Sequence, residues 1–329
     1  MKYVIIGAGP AGVSTAKTLA GSDSKAEIVI ISAEKRPFYI KPALVEYISG
    51  DVPETVLFHK STIKSENVNL ITGKRVLSVD ADKNKVILAS GEEVDYNYLV
   101  IAVGASSKIP SRLSHAQGNI ETLSNCADAM KIRKKLESAG KVVISGCGYT
   151  GIELARGIRK RGVSLTYISS KKELLPGYEV DNEALCSKIK GKGIELILED
   201  EINDVAGINA EELSVMTKSG KEIKCNMFIS SDHYEPNIDF LKESGISMEK
   251  GVLVSEELRS SISNIFAAGD AAQVHDINKN INRINFGWNS ASAQGELCAK
   301  NILGDGSAYI ADEDKYFRQL IGKKIMDRW

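Results

Sequence analysis

Apolar and polar positions divide this chain into short unbroken apolar runs set among longer mixed stretches. Tyr3-Val4-Ile5-Ile6 is such a run, the pattern of a strand buried on both faces. It leads through Gly7-Ala8-Gly9-Pro10-Ala11-Gly12 into a helix predicted over residues 13–20, and residues 27–32 (EIVIIS) read as the next strand. Residues 67–72, 75–79, 85–88 and 93–96 read as short strands of a meander inserted in the same domain, with turns at Asp82-Lys83-Asn84 and Ser90-Gly91. Residues 98–105 (YLVIAVGA) are a further buried strand ending at a glycine.

The pattern then begins again. Residues 141–145 (KVVIS) form a buried strand, Gly146-Cys147-Gly148-Tyr149-Thr150-Gly151 follows, a helix runs to Arg161, and Gly162 ends it before a strand at 163–169. The first glycines of the two turns lie 139 positions apart. Residues 192–198, 212–217, 222–225 and 227–229 read as strands of a second domain. An apolar run at 264–268 then delivers Gly269 and Asp270, and a helix is predicted over about 290–302. Tyr316, Phe317, Leu320, Ile321, Ile325, Met326 and Trp329 make one apolar helical stripe near the end, with Lys315, Arg318, Lys323, Lys324 and Arg328 off it. That stripe suits a helix docked on its own domain, self-association, a partner subunit, or a membrane surface.

Composition narrows the field. At 329 residues the chain is too long for one comfortable core, which favours two domains. A formal net charge of −1 provides no global field to recruit nucleic acid or an anionic membrane. The five cysteines, Cys126, Cys147, Cys186, Cys225 and Cys298, are scattered with no CxxC, which suits reduced thiols in the cytoplasm. No stretch approaches the roughly 18 apolar residues of a membrane span.

The glycine turns carry the chemistry. Three glycines at this spacing provide a tight turn, backbone approach to a pyrophosphate, and close packing of helix on strand. The helix start offers unpaired N–H groups to phosphate. Glu34 falls 22 positions past Gly12, where a ribose hydroxyl pair needs an acceptor. One such unit arises by chance, but two complete units in one chain do so rarely, and two dinucleotides imply one electron carrier fed by another. In the second unit Ser169 takes the count of Glu34, at 18 positions past Gly151, and Lys171 and Lys172 follow. Loss of the acid and gain of lysines lean toward a 2′-phosphate, and so toward NADPH, an exposed turn being the other reading.

Together, GAGPAG with Glu34, the YxxLVIAxGA run from Tyr96, GCGYTGIELA from Gly146 and IFAAGD ending at Asp270 resemble the pyridine nucleotide–disulfide oxidoreductases, flavoproteins that use FAD and NAD(P)H. The resemblance reaches to about Gly304. It implies an α/β fold of two Rossmann-like three-layer domains, the NAD(P)H domain (109–248) inserted in the FAD domain (1–108 and 249–306). A short helical tail (307–329) would stand where relatives carry an interface domain, missing or truncated here. By position, Gly7, Gly9, Pro10, Ala11, Gly12 and Glu34 would hold the adenosine diphosphate half of FAD, with Val76 at the adenine. Ala102 and Gly104 would meet the first glycine turn, Lys41 and Pro42 would pass the flavin, and Asp270 would bond the ribityl chain. Gly146, Gly148, Gly151, Ser169 and Lys171 would take the nicotinamide dinucleotide.

The same resemblance puts Tyr149 over the flavin face and Glu153 near the nicotinamide ring. It places Glu46 where many relatives have a lysine near flavin N5, leaving Glu46 either beside Glu153 or in solvent. His233 replaces a usual glycine. No cysteine lies near residues 40–46, so chemistry needing a thiolate beside the flavin is not expected. The FYIKPALVEY loop looks most like rubredoxin reductases. The expected activity is hydride transfer from NAD(P)H to FAD, with electrons passing to a rubredoxin- or ferredoxin-like protein or to oxygen, without a metal. The alternatives are a quinone reductase similar to type II NADH dehydrogenases, and a flavin-binding subunit or redox sensor with a degenerate nicotinamide site.

Overall fold

The computed structural model describes residues 1–36, 38–58, 63, 65–276, 280–310 and 313–329, with the side chains of 313–320 excepted. The side chains of Lys315, Tyr316, Phe317, Arg318 and Leu320, named above in the helical stripe or beside it, lie outside the described residues. The chain forms two compact units: residues 1–40, 58–105 and 236–314 make the first, and residues 41–57, 106–235 and 315–329 the second. Residues 41–57 and 315–329 thus pack in the second unit, apart from the ranges the sequence suggested for them.

The first unit is built on a five-stranded parallel sheet in the order Ile265–Ala267, Tyr98–Ile101, Lys2–Ile6, Glu27–Ile31, Val68–Ile71. Its strands are the unbroken apolar runs, and Val4, Ile5, Ile28, Ile30, Leu99 and Val100 are fully buried, as a sheet covered on both faces requires. Val68–Ile71, expected in the meander, instead forms the outer strand of this sheet. It pairs in parallel with the apolar edge of Ile28–Ile31, which would otherwise lie open. The meander proper is the antiparallel set Val76–Asp80, Lys85–Leu88, Glu93–Asp95.

Helix Pro10–Ser22 begins three residues earlier than its apolar pattern suggests, because Pro10 at the first helical position needs no N–H partner. Helix Trp288–Ile302 lies directly against it: a Cβ at Gly295 would stand 2.1 Å from the Ala11 carbonyl oxygen. Thr15 Oγ1 donates to the carbonyls of both Ala11, at 3.0 Å, and Gly295, at 2.9 Å. Sheet, both helices and the meander share one apolar core, running from Leu19 and Cys298 through Ile5 and Val100 to Val86.

The second unit repeats the design. Its parallel sheet runs Glu195–Ile197, Ser164–Ile168, Lys141–Ser145, Met227–Ser230, Ile120–Glu121. Ile202–Gly207, Leu213–Thr217 and Glu222–Cys225 form an antiparallel set beside it. Ile202–Gly207 was not anticipated, since Asn203, Asp204 and Gly207 dilute its alternation. Helix Leu44–Ser49 follows a 3-10 turn at Lys41–Ala43 and ends at Gly50, whose φ of 89° only glycine adopts readily. It packs on helix Tyr149–Lys160, where a Cβ at Gly157 would meet Val45 Cγ1 at 3.2 Å. Arg133 Nη1 donates to the Tyr47 carbonyl at 2.8 Å and its guanidinium lies over the Tyr47 ring.

The last helix, Glu313–Arg328, seats its second half on this unit. Ile325 is fully buried, Trp329 is buried, and Lys188 Nζ donates to the Met326 carbonyl at 2.7 Å.

Candidate functional site

In the first unit the strand Lys2–Ile6 ends at Gly7, whose N–H donates to the Ile31 carbonyl at 2.8 Å. A Cβ on Gly7 would lie 2.2 Å from the Ala102 oxygen, and one on Gly12 would lie 2.0 Å from the Gly7 oxygen. Gly9, by contrast, has nothing within 4 Å of where its Cβ would be. The outer glycines are therefore closed by protein, while the middle one faces open space at the start of helix Pro10–Ser22. That is the shape a phosphate needs in order to reach the free N–H groups of a helix.

The other residues expected to serve this turn fall in the same unit. Pro10 opens the helix and Ala11 is buried beneath it. Half-buried Glu34 receives the Tyr39 hydroxyl at 3.3 Å, and its N–H donates to Ser32 Oγ at 3.2 Å. Val76 is buried at the start of the meander, Ala102 closes on Gly7, and the Gly104 carbonyl accepts from the Asn237 N–H at 3.0 Å. Asp270 stands in the 3-10 turn Gly269–Ala271 and receives the Gly287 N–H at 3.3 Å. Gln294 Oε1 fixes that turn by accepting the Gly269 N–H at 2.7 Å.

The second unit reproduces the turn. A Cβ on Gly146 would lie 2.2 Å from Ser231 Oγ, one on Gly151 would lie 2.4 Å from the same oxygen and 2.7 Å from the Tyr167 hydroxyl, and Gly148 again faces nothing within 4 Å. The surrounding backbone matches bond for bond. Gly146 donates to Ile168 at 2.9 Å as Gly7 does to Ile31, and Ser169 donates to Ile197 at 2.9 Å as Ser32 does to Ile71 at 2.8 Å. Asp200 donates to the Ser169 carbonyl at 3.1 Å as Lys74 does to Ser32 at 3.0 Å, and Glu199 to the Lys171 carbonyl at 3.4 Å as Gly73 does to Glu34 at 3.1 Å. The Lys171 N–H donates to Ser169 Oγ at 3.1 Å, the counterpart of Glu34 on Ser32.

This pairing corrects the alignment made by counting. Ser169 is the counterpart of Ser32, and Lys171, not Ser169, stands where the first unit has Glu34. From the third glycine to this serine the second unit is two residues shorter, one in the helix and one in the connection after it, so the count of 22 that leads from Gly12 to Glu34 overshoots Lys171 when taken from Gly151. Lys171 is exposed, whereas Ser169 is fully buried. The second turn thus carries a cation where the first carries a carboxylate.

Beyond the Gly148 turn lies a charge cluster, all of it within the second unit. Tyr149 opens the helix, and burial first, then the Glu153 carboxylate, pushes its hydroxyl up to about 12. Glu153, one turn on, is 1% exposed. Arg156 Nη2 reaches Glu153 at 3.2 Å, and Arg328 Nη1 reaches the same carboxylate at 2.6 Å. Arg328 Nη2 also holds Glu46 Oε1 at 2.9 Å, so Glu46 and Glu153 share one guanidinium. The sequence raised the nearness of the two glutamates as one of two readings and included Arg328 only among the basic residues of the last helix. No local motif links residues so far apart in the chain. Lys41 and Pro42 also belong to this unit: Lys41 Nζ donates to the Tyr234 hydroxyl at 3.2 Å, and Pro42 is exposed.

No thiolate is prepared near either turn among the described residues. Cys126, Cys225 and Cys298 are buried and Cys147 and Cys186 partly so; burial pushes the Cys225 thiol to about 11 and the Cys147 thiol upward.

Comparison with known proteins places these features. The family model described as "Pyridine nucleotide-disulphide oxidoreductase" matches residues 1–295. An NADH-rubredoxin oxidoreductase of Clostridium acetobutylicum is 32% identical over 311 residues, spanning 94% of this chain and 76% of that one. An NADH oxidase of Methanocaldococcus jannaschii is 28% identical over 317 residues, spanning 92% of this chain and 70% of its own. Among solved structures, a ferredoxin reductase from Rhodopseudomonas palustris superimposes with a TM-score of 0.87 at 22% identity, over 94% of this chain and 78% of that one, which speaks to the fold.

Proposed function

The chain belongs to the pyridine nucleotide-disulphide oxidoreductase family, and we propose that it carries FAD on its first unit and NAD(P)H on its second, passing electrons on to a small redox protein. The observation that carries this reading is the repeated turn: two sets of three glycines, outer pair closed and middle one open, each at the start of a helix. Bound FAD supplies the chemistry, accepting hydride from the nicotinamide and releasing electrons to an acceptor.

The chain's own residues then bind and orient. Gly9 and the N–H groups opening helix Pro10–Ser22 receive the FAD pyrophosphate, Glu34 accepts from the adenosine ribose hydroxyls, and Asp270 accepts from the ribityl chain. Val76 borders the adenine, and Ala102 and Gly104 keep the backbone close beneath the turn. Gly148 and helix Tyr149–Lys160 receive the second pyrophosphate. Tyr149, Glu153 and Glu46 form the donor-side pocket. Hydride transfer needs no proton carrier, so these groups position rather than exchange protons.

Lys171 in the place of Glu34 supports NADPH as the preferred donor. A carboxylate there would accept from a 2′-hydroxyl, whereas an ammonium group meets a 2′-phosphate. The acceptor is argued from kinship: relatives are named for rubredoxin and terpredoxin reduction, and among the described residues no activated thiol offers a competing route. Among the described residues no helix is long and apolar enough to cross a membrane. Ile325 and Trp329, which the quinone-reductase reading would lay on a membrane, are buried in the second unit.

The test is an anaerobic titration of the purified, FAD-loaded protein. NADPH bleaches the yellow flavin, and oxidised rubredoxin or ferredoxin restores the colour. A flavin that neither NADPH nor NADH bleaches would end this reading.

A further inference from the structure

The last helix is seated by several independent contacts in the second unit. Gly322 lies against the backbone of Glu179, where a Cβ would stand 2.4 Å from the carbonyl oxygen, and Ile325 is fully buried. So seated, Arg328 faces Glu46 from helix Leu44–Ser49 and Glu153 from helix Tyr149–Lys160, while Arg156 supplies the other cation on Glu153. Two carboxylates this close repel unless a cation stands between them, and the burial of Glu153 makes the repulsion stronger. Glu46 Oε2 and the Nε1 of Trp329 are buried without hydrogen-bond partners. Leaving buried polar atoms unpartnered destabilises the fold, so stability alone does not account for the arrangement. Tyr149 adjoins the cluster and begins immediately after the open Gly148.

We infer that Arg328 is a positioning residue of the donor site: it holds Glu46 and Glu153 together and sets the charge presented to the nicotinamide ring. The inference rests on the reading of the second unit as the NAD(P)H site. Its sign follows from a count of charges. With Arg328 the cluster holds two carboxylates and two guanidinium groups. Without it the cluster is one charge more negative, which favours the positively charged ring of NADP+ over a neutral ring.

The experiment compares dissociation constants of NADP+ and of its neutral-ring, non-reducing tetrahydro analogue, read from the flavin absorbance shift of the FAD-loaded protein. In Arg328→Met the ratio moves about tenfold toward NADP+. Arg328→Lys returns it to the original ratio, and so does Arg328→Met combined with Glu46→Gln, which removes the excess negative charge. Gly322→Val, which unseats the helix and so draws Arg328 away from the two carboxylates without altering any of the charged side chains, shifts the ratio as Arg328→Met does. An unchanged ratio in Arg328→Met, or a double variant no different from the single one, overturns the role of Arg328 and leaves the donor site standing. Failure of the original protein to bind either dinucleotide overturns the donor site and this inference with it.

Discussion

The two glycine turns share a backbone and differ in what closes it. In the first unit a Cβ on the third glycine would meet a backbone oxygen, that of Gly7, at 2.0 Å; in the second it would meet side-chain oxygens, Ser231 Oγ at 2.4 Å and the Tyr167 hydroxyl at 2.7 Å. Backbone cannot give way cheaply, whereas a serine hydroxyl can rotate. At the second strand's end the first turn carries Glu34 and the second carries Lys171 on the same set of hydrogen bonds. On the proposed function, the fold sets where a dinucleotide lies and a few side chains decide which one.

The largest expected effect follows from the packing difference. Gly12→Ala destabilises the protein by about 3 kcal/mol, at the upper end of the overpacking range, and abolishes FAD retention. Gly151→Ala costs about 1–2 kcal/mol, and adding Ser231→Ala recovers part of it. Urea denaturation followed by circular dichroism separates the two; equal losses at both glycines would break the comparison.

Next in size is the charge difference. A charge-assisted hydrogen bond contributes about 1.5–3 kcal/mol. Lys171→Glu therefore lowers kcat/KM for NADPH relative to NADH by roughly tenfold to a hundredfold, read by steady-state kinetics with both donors. A ratio that stays put would mean that Lys171 only fills an exposed turn.

Smallest for the fold, though not for function, are the open middle glycines. Gly9 and Gly148 have φ near −79° and −92°, angles any residue adopts, with empty space beyond. Gly9→Ala and Gly148→Ala leave stability unchanged or raise it by up to about 1 kcal/mol. Each nonetheless weakens its own dinucleotide, FAD for Gly9→Ala and NAD(P)H for Gly148→Ala, as spin-filtration and equilibrium dialysis would report. Loss of stability without loss of binding would contradict the role given to these positions.

How much of this the sequence revealed depends on how local each signal is. The strands Lys2–Ile6 and Lys141–Ser145 were legible because a parallel strand buried on both faces reads as one apolar run, and the glycine spacing fixed the turns beside them. Val68–Ile71 reads as a strand from its sequence, but its pattern does not say which neighbour it pairs with, and its place beside Ile28–Ile31 comes only from the structure. Ile202–Gly207 stayed hidden because half its positions favour turns. Position past the third glycine sets Ser169 against Glu34, and only the hydrogen-bond register shows that Lys171 holds that place. Arg328 illustrates the limit: its meaning comes from Glu46 and Glu153, which no periodicity connects to it.

The central claim, that one turn holds a flavin and the other its electron donor, is tested most directly by counting. Anaerobic titration of the FAD-loaded protein should bleach one flavin per chain with one equivalent of NADPH, and Gly148→Ala should demand a large excess while retaining its full FAD content. Two flavins bound per chain, or a Gly148→Ala protein that loses its flavin and keeps its NADPH affinity, would contradict it.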